Sequence, residues 1–257
     1  MIIENFGVGA RCAEALRLLL CAEADGKLPT DLKRCVLLPI PTSKDRVHLT
    51  GTDKLLDEVF GGVGEGDLIA GYGIDEQRKS AMQESGALVY DALEDEEFLT
   101  ENAEETAMGA LGYILSSTNS APKDTRFAIV GYGRIGSRLL RLLLFLGAKV
   151  TVLSGREKTC IELGKCGVEA HYKERGAPIP LSDTDIIINT APEDLSSSFR
   201  DKRLPAGVRV IELASGENFK GIEGIERLPG IPDKFYPKSA GKTYFMRIMN
   251  YLSEVKK

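Results

Sequence analysis

The apolar positions of this chain fall into short blocks whose spacing alternates between that of a buried strand and that of a helix. Residues 35–38, 67–70, 87–90, 127–130, 149–153, 185–189 and 208–213 are brief, mostly apolar runs, as strands covered on both faces are. Residues 168–172 and 225–228 read as shorter extended pieces. Ala13, Leu16, Leu19 and Leu20 recur at helical spacing within 1–22, and helices are expected at 52–60, 75–85, 135–146 and 158–165. Two longer helices are expected, at about 102–116 and about 239–255. Strand and helix alternating in this way predict an α/β chain with mainly parallel sheets.

Punctuation refines the division. Pro39-Ile40-Pro41 forbids helix and stiffens the exit from the 35–38 strand, and the polar stretch Thr42-Ser43-Lys44-Asp45-Arg46 follows. The run 91–105 is densely acidic and reads as a solvated surface with helix-start charges. Residues 117–124 form a turn-rich linker. The expected domains are therefore 1–101, on the substrate side, and 102–241, with the C-terminal helix 242–257 packing back on the first.

The second domain opens on a specific motif. An apolar strand runs into Gly131-Tyr132-Gly133-Arg134-Ile135-Gly136, and a leucine-rich helix follows. In a dinucleotide fold the first glycine makes the turn and the second admits a pyrophosphate to the backbone. The third lets helix and strand pack closely, and the helix N-terminus faces the phosphates. About 20 residues on, an NAD site places an acid on the ribose. Here the position holds Ser154-Gly155-Arg156. Arg156 suits a 2′-phosphate, which favours NADP with NAD possible; the plainer alternative is a solvated residue at a helix start.

Ligands gather beyond the carboxyl ends of parallel strands. That adds Asn189-Thr190-Ala191-Pro192 and Ala214 to the expected cofactor contacts, Asn189 through its amide or its neighbours through their carbonyls. Thr42, Ser43, Lys44, Arg46 and Lys238 form a candidate clamp for carboxylates.

Composition narrows the classes. The net charge of −5 over 257 residues gives no general attraction to nucleic acid, and no apolar run approaches the roughly 20 residues that span a bilayer. The start of the chain lacks a signal-peptide pattern. The five cysteines, Cys12, Cys21, Cys35, Cys160 and Cys166, show no metal spacing and read as reduced thiols, so a cytoplasmic protein without a metal is expected.

Several segments together resemble the A subunit of dipicolinate synthase, a relative of the D-2-hydroxyacid dehydrogenases. They are Asn102-Ala103-Glu104-Glu105-Thr106-Ala107-Met108-Gly109-Ala110, Val130 to Gly136, Leu146-Gly147-Ala148-Lys149-Val150, and Asp185-Ile186-Ile187-Ile188-Asn189-Thr190-Ala191-Pro192. Ile211-Glu212-Leu213-Ala214-Ser215, Leu228-Pro229-Gly230-Ile231-Pro232 and Pro237-Lys238-Ser239-Ala240-Gly241 complete the set. The last two are the most specific, since generic dinucleotide domains lack them.

The resemblance implies two Rossmann-like, doubly wound domains in a formate/glycerate dehydrogenase-like arrangement around a cleft. It implies oxidation of dihydrodipicolinate, or its hydroxylated precursor, to dipicolinate in sporulation, with NADP the acceptor and a flavoprotein-like B subunit the partner. A homodimer is the expected state. Lactate-type relatives use a late-chain histidine, but no histidine follows His171 here, and His48 reads as structural or exposed. The catalytic residue is therefore unassigned. Another NAD(P)-dependent oxidoreductase of the 2-hydroxyacid type and a non-catalytic nucleotide-binding regulator are the alternatives.

Overall fold

A computed structural model describes residues 1–179 and 183–255. The chain divides into two compact units, Met1–Asn102 with Pro232–Lys257, and Ala103–Ile231.

The first unit holds β1 (Ile2–Asn5), α1 (Ala10–Ala24), β2 (Arg34–Leu37), α2 (Leu56–Phe60), β3 (Asp67–Gly71), α3 (Glu76–Glu84) and β4 (Leu88–Asp91). The strands pair in parallel in the order β1-β2-β3-β4. Their alternate side chains enter two apolar layers. Cys35, Leu37, Leu68 and Ala70 meet Ala15 and Leu19 of α1, whereas Val36, Leu38, Ile69 and Val89 meet Leu56 and Val59 of α2 and Met82 of α3. Each crossover thus moves one place in the same direction, yet α1 lies on the opposite face from α2 and α3. A single hand cannot produce that, so at least one of the three departs from the right-handed rule.

The long helix α4 (Glu96–Ser117) leaves this unit, and α8 (Pro237–Val255) returns to it. Tyr244, Ile248 and Leu252, spaced four apart, bury one face of α8 in the α1 layer. Gly241 permits the close approach, because a Cβ there would lie 2.7 Å from the Arg11 carbonyl oxygen.

The second unit holds β5 (Arg126–Val130), α5 (Arg134–Phe145), β6 (Lys149–Ser154), α6 (Glu157–Lys165), β7 (Glu169–Tyr172), β8 (Ile186–Asn189), β9 (Arg209–Glu212) and β10 (Ile225–Arg227), with α7 (Ile231–Phe235) at the exit. All six strands are parallel, in the order β10-β9-β8-β5-β6-β7. Numbered from β5, that is 3-2-1-4-5-6, the doubly wound order whose switch point lies between β5 and β8. Phe127, Ile129, Ile186, Ile188 and Ile211 pack under α4 and α5, and Ala128, Val130, Ile187 and Val210 pack under Leu195, Phe199 and Phe219.

Some element ends differ from expectation. α4 begins at Glu96, six residues early, because the acidic run supplies its first turn and Asp95 accepts the Phe98 N–H at 3.1 Å. α2 begins late, at Leu56, because Thr52 turns back to hydrogen-bond Leu49 and Gly51 has φ 78°. The segment around Pro232 carries α7 rather than continuous loop.

Candidate functional site

Strand β5 is fully buried over four of its five residues and delivers Gly131 to the switch point. Gly131 has φ 95°, and a Cβ there would lie 2.8 Å from Thr190 Oγ1. A Cβ on Gly136 would lie 2.3 Å from the Gly131 carbonyl oxygen, so the third glycine is what lets α5 sit against the turn. Gly133 differs from both: a Cβ there meets no atom of the described residues within 4 Å. It is the N-cap of α5, which has neither a side-chain cap nor an acid in its first turn. The turn thus exposes backbone and the positive end of a helix dipole to open space.

The end of β8 is braced from within. Thr190 Oγ1 donates toward the carbonyl oxygens of Val130 (3.0 Å) and Gly131 (3.2 Å), tying the two strand ends together. Asn189 is wholly buried; its Nδ2 donates to Ala191 O and to Glu212 Oε1, both at 3.0 Å, and its Oδ1 accepts the Ala191 N–H at 3.1 Å. The amide expected to meet a ligand is therefore spent on shaping the 189–192 turn. Glu212, at the end of β9, also accepts the Ala214 N–H at 2.9 Å. Its burial pushes the carboxyl up from its ordinary value, against the pull of those donors. Glu212 escaped sequence reading because its partner is 23 residues away and the pair forms only when β8 and β9 align.

At the end of β6, Ser154 is buried and its Oγ accepts the Arg156 N–H at 3.2 Å. The exposed Arg156 side chain reaches back to the glycine turn, where Nη2 donates to Tyr132 O at 3.0 Å. Arg156, Arg134 and Arg138 line one open cavity of about 670 Å³ with Tyr132, Gly133 and Thr159. Next to it Lys173, whose N–H donates to Ser154 O, forms a largely buried ion pair with Glu193, just past the 189–192 turn. That pair links the ends of β7 and β8.

The residues expected at the substrate lie in the first unit. Thr42 is buried, its Oγ1 accepting the Tyr72 N–H at 2.8 Å, so it anchors the loop to the end of β3. Ser43 Oγ accepts the Arg46 N–H at 2.9 Å and donates to Asp45. Lys44 and Arg46 are exposed on the same loop. Lys238 is exposed in the first turn of α8, where its charge helps hold Glu14 of α1 below its ordinary value, after the larger contribution of the Arg17 hydrogen bond. Among the described residues no group of His, Cys, Asp and Glu has a metal-holding arrangement.

No protein-family model matches the chain, and no curated protein sequence does. Solved structures do resemble it. The A chain of dipicolinate synthase from Bacillus subtilis is 19% identical, with 99% of this chain and 96% of that one covered and a TM-score of 0.74. Its counterpart, the A subunit of dipicolinate synthase from Bacillus halodurans, is 21% identical, with 98% and 97% covered and the same TM-score of 0.74. An NAD-complexed D-isomer specific 2-hydroxyacid dehydrogenase from Lactobacillus delbrueckii ssp. bulgaricus is 12% identical, with 99% and 97% covered and a TM-score of 0.50. The chain therefore has the fold class its sequence implied, an α/β chain with Rossmann-like parallel sheets. Its overall fold is the one seen in dipicolinate synthase A subunits.

Proposed function

We propose that this chain is an NADP-dependent oxidoreductase that oxidises a small cyclic dicarboxylate, dihydrodipicolinate or its hydroxylated precursor, to dipicolinate. The observation that carries the reading is the turn 131–136 with its arginines. Two glycines are demanded by the chain's own packing, and the third, Gly133, leaves open the space a pyrophosphate needs. Those residues fit a dinucleotide: the N–H groups of the turn and of α5 would hold the pyrophosphate, and Ser154, Gly155 and Arg156 the adenosine ribose. NADP bound there would supply a hydride acceptor at its nicotinamide ring.

Tyr132, Arg134 and Ile135 complete the cradle, and Thr190, Ala191, Pro192 and Ala214 border it, with Asn189 acting through their shape. The substrate's two carboxylates are assigned to Lys44, Arg46 and Lys238, whose exposed cationic side chains suit carboxylates. Thr42 and Ser43 hold their loop. Residues 1–101 with the C-terminal helix form the substrate domain and 102–241 the cofactor domain in this reading. The likeness in fold to dipicolinate synthase A subunits supports a flavoprotein-like partner, the second subunit of the enzyme, together with a role in sporulation and a cytoplasmic setting. Exposed Met108 and Leu115 on α4 are consistent with a homodimer.

The test is calorimetric and spectroscopic. The chain binds NADP more tightly than NAD, and Arg156→Ala lowers NADP affinity about ten- to a hundredfold while NAD is unaffected, the worth of one charge-assisted hydrogen bond. Dihydrodipicolinate drives NADP reduction at 340 nm, with or without the second subunit. NADP binding without reduction by any dihydropyridine or 2-hydroxy dicarboxylate would leave the chain a nucleotide-binding regulator.

A further inference from the structure

Strand β9 carries Val210 and Ile211 into the core and ends on a buried carboxyl, Glu212, which is 4% exposed. Burying a carboxyl costs free energy unless both of its oxygens are met. Here Oε1 accepts the Asn189 amide at 3.0 Å and the Ala214 N–H at 2.9 Å. Among the described residues Oε2 is buried without a hydrogen-bond partner. A glutamine would meet the same two donors through its own Oε1, with no charge to bury. The two hydrogen bonds therefore account for an acceptor at this position but not for a charge.

Where the charge stands gives it a use. In the 3-2-1-4-5-6 order, β8, β9 and β10 form the second mononucleotide-binding half, the one that takes the nicotinamide end of a dinucleotide. Glu212 sits between the turns that end β8 and β9, fixing 189–192 through Asn189 and the following turn through Ala214. The Leu213 N–H ties the same two strand ends by donating to Asn189 O at 2.9 Å. All of these residues belong to the second unit. Oε2 offers no surface to a ligand, so the carboxylate acts through its field, which the interior screens far less than water does. Burial raises the carboxyl, and against it the Ala214 N–H, the Asn218 and Asn189 amides and the Arg227 charge of β10 favour the ionised form.

Resting on the NADP-dependent reading above, we infer that Glu212 makes the chain prefer the oxidised over the reduced form of its cofactor. The oxidised nicotinamide ring is a cation and the reduced ring is neutral, whereas the phosphates of the two forms are the same. A fixed negative charge behind the turns that end β8 and β9 attracts the first and leaves the second unchanged. Glu212 thus favours NADP in the form that accepts hydride and lets the reduced product leave. Asn189 and the Ala214 N–H hold the carboxylate in place.

The experiment compares dissociation constants for oxidised and reduced NADP in the full chain, by calorimetry and by the fluorescence of the reduced form. Wild type needs no variant to be informative: it binds oxidised NADP more tightly than reduced NADP, and a chain that prefers the reduced form overturns the inference. Glu212→Gln weakens oxidised NADP about tenfold relative to reduced NADP, the scale of one partly screened charge. Glu212→Asp, which keeps the charge, retains most of the preference. A side chain that only shapes the turns would weaken both forms alike. A Glu212→Gln chain that binds both forms with the wild-type ratio therefore overturns this inference alone and leaves the NADP reading standing. A wild-type chain that binds neither form overturns that reading, and the role of Glu212 with it.

Discussion

Arg11 and Asp233, 222 residues apart, meet where the Arg11 N–H donates to Asp233 Oδ1 at 2.7 Å. The carboxylate caps the N-terminus of α1, whose own N-cap, Gly9, offers no side chain. A Cβ on Gly9 would lie 2.6 Å from Asp233 Oδ2, so the glycine is what admits the cap. The turn after β1, with Gly7 and Gly9, therefore looks like a second phosphate cradle but is filled by an anion of the chain itself. Asp233→Ala should cost about 1 kcal/mol in urea unfolding, the usual worth of a cap with its dipole interaction. Asp233→Asn should recover the hydrogen bond and lose only the charge.

Arg209 and Glu226 give the edge strand β10 a pH dependence. Nε donates to Oε1 at 2.8 Å and Nη2 to Oε2 at 2.7 Å, with the Tyr113 hydroxyl donating to Oε2 at 2.8 Å. The Arg209 hydrogen bonds hold Glu226 below its ordinary value, against partial burial and with help from Tyr113. A carboxylate lowered on folding contributes stability that is fully present above its unfolded value, about 4.3, and is lost as pH falls through the folded one. Glu226→Gln should therefore cost about 1 kcal/mol at pH 7, discounted for partial exposure. The gap to wild type should close as the pH falls below 4; a gap that persists at low pH would refute the ionic origin.

Tyr244 fills the centre of the α1–α8 layer, with ring centroids 5.9 Å from Phe98 and 6.3 Å from Tyr90, and is fully buried. Among the described residues its hydroxyl has no hydrogen-bond partner, and burial pushes the phenol well above its ordinary value. A buried hydroxyl without a partner is a net cost, whereas the ring is a large apolar contribution. Tyr244→Phe should raise stability by about 1 kcal/mol, and Tyr244→Ala should lower it by about 3–5 kcal/mol. Denaturant midpoints that move the same way in both variants would refute this division between ring and hydroxyl.

What the sequence made legible follows how local each cause is. The β5–Gly131–α5 unit was readable because a continuous apolar run gives way to helical apolar spacing across three glycines, all within 20 residues. No helix was expected around Pro232, yet a proline in a first turn needs no N–H partner and α7 forms there. The position of α1 on the face opposite α2 and α3 has no local signature at all. Asn189 looked free to meet a ligand until β8 and β9 aligned it with Glu212. The contact of His48 with Asp45 had no sequence signal because it forms only when the loop folds back across three residues. Arg156 was read for its charge, and the reach of its side chain to Tyr132 depends on where β6 ends.

The glycines of the 131–136 turn can be separated by experiment, because the structure gives them different reasons. Gly136→Ala places a methyl 2.3 Å from the Gly131 carbonyl oxygen and 3.0 Å from Thr190 Oγ1, so α5 must move off the strand end. It should cost about 1–3 kcal/mol, as overpacking does, partly offset by alanine's better helix propensity. Gly133→Ala meets no atom of the described residues within 4 Å, and its backbone, φ −93° and ψ −158°, suits any residue. Its stability should match wild type within about 0.5 kcal/mol. Yet the added methyl points where a pyrophosphate has to approach, so NADP affinity should fall by at least tenfold. Urea unfolding and calorimetry on the two variants should thus give opposite patterns, one unstable and the other stable but weak in binding. Full NADP affinity in a stable Gly133→Ala variant would mean that the dinucleotide does not lie on this turn.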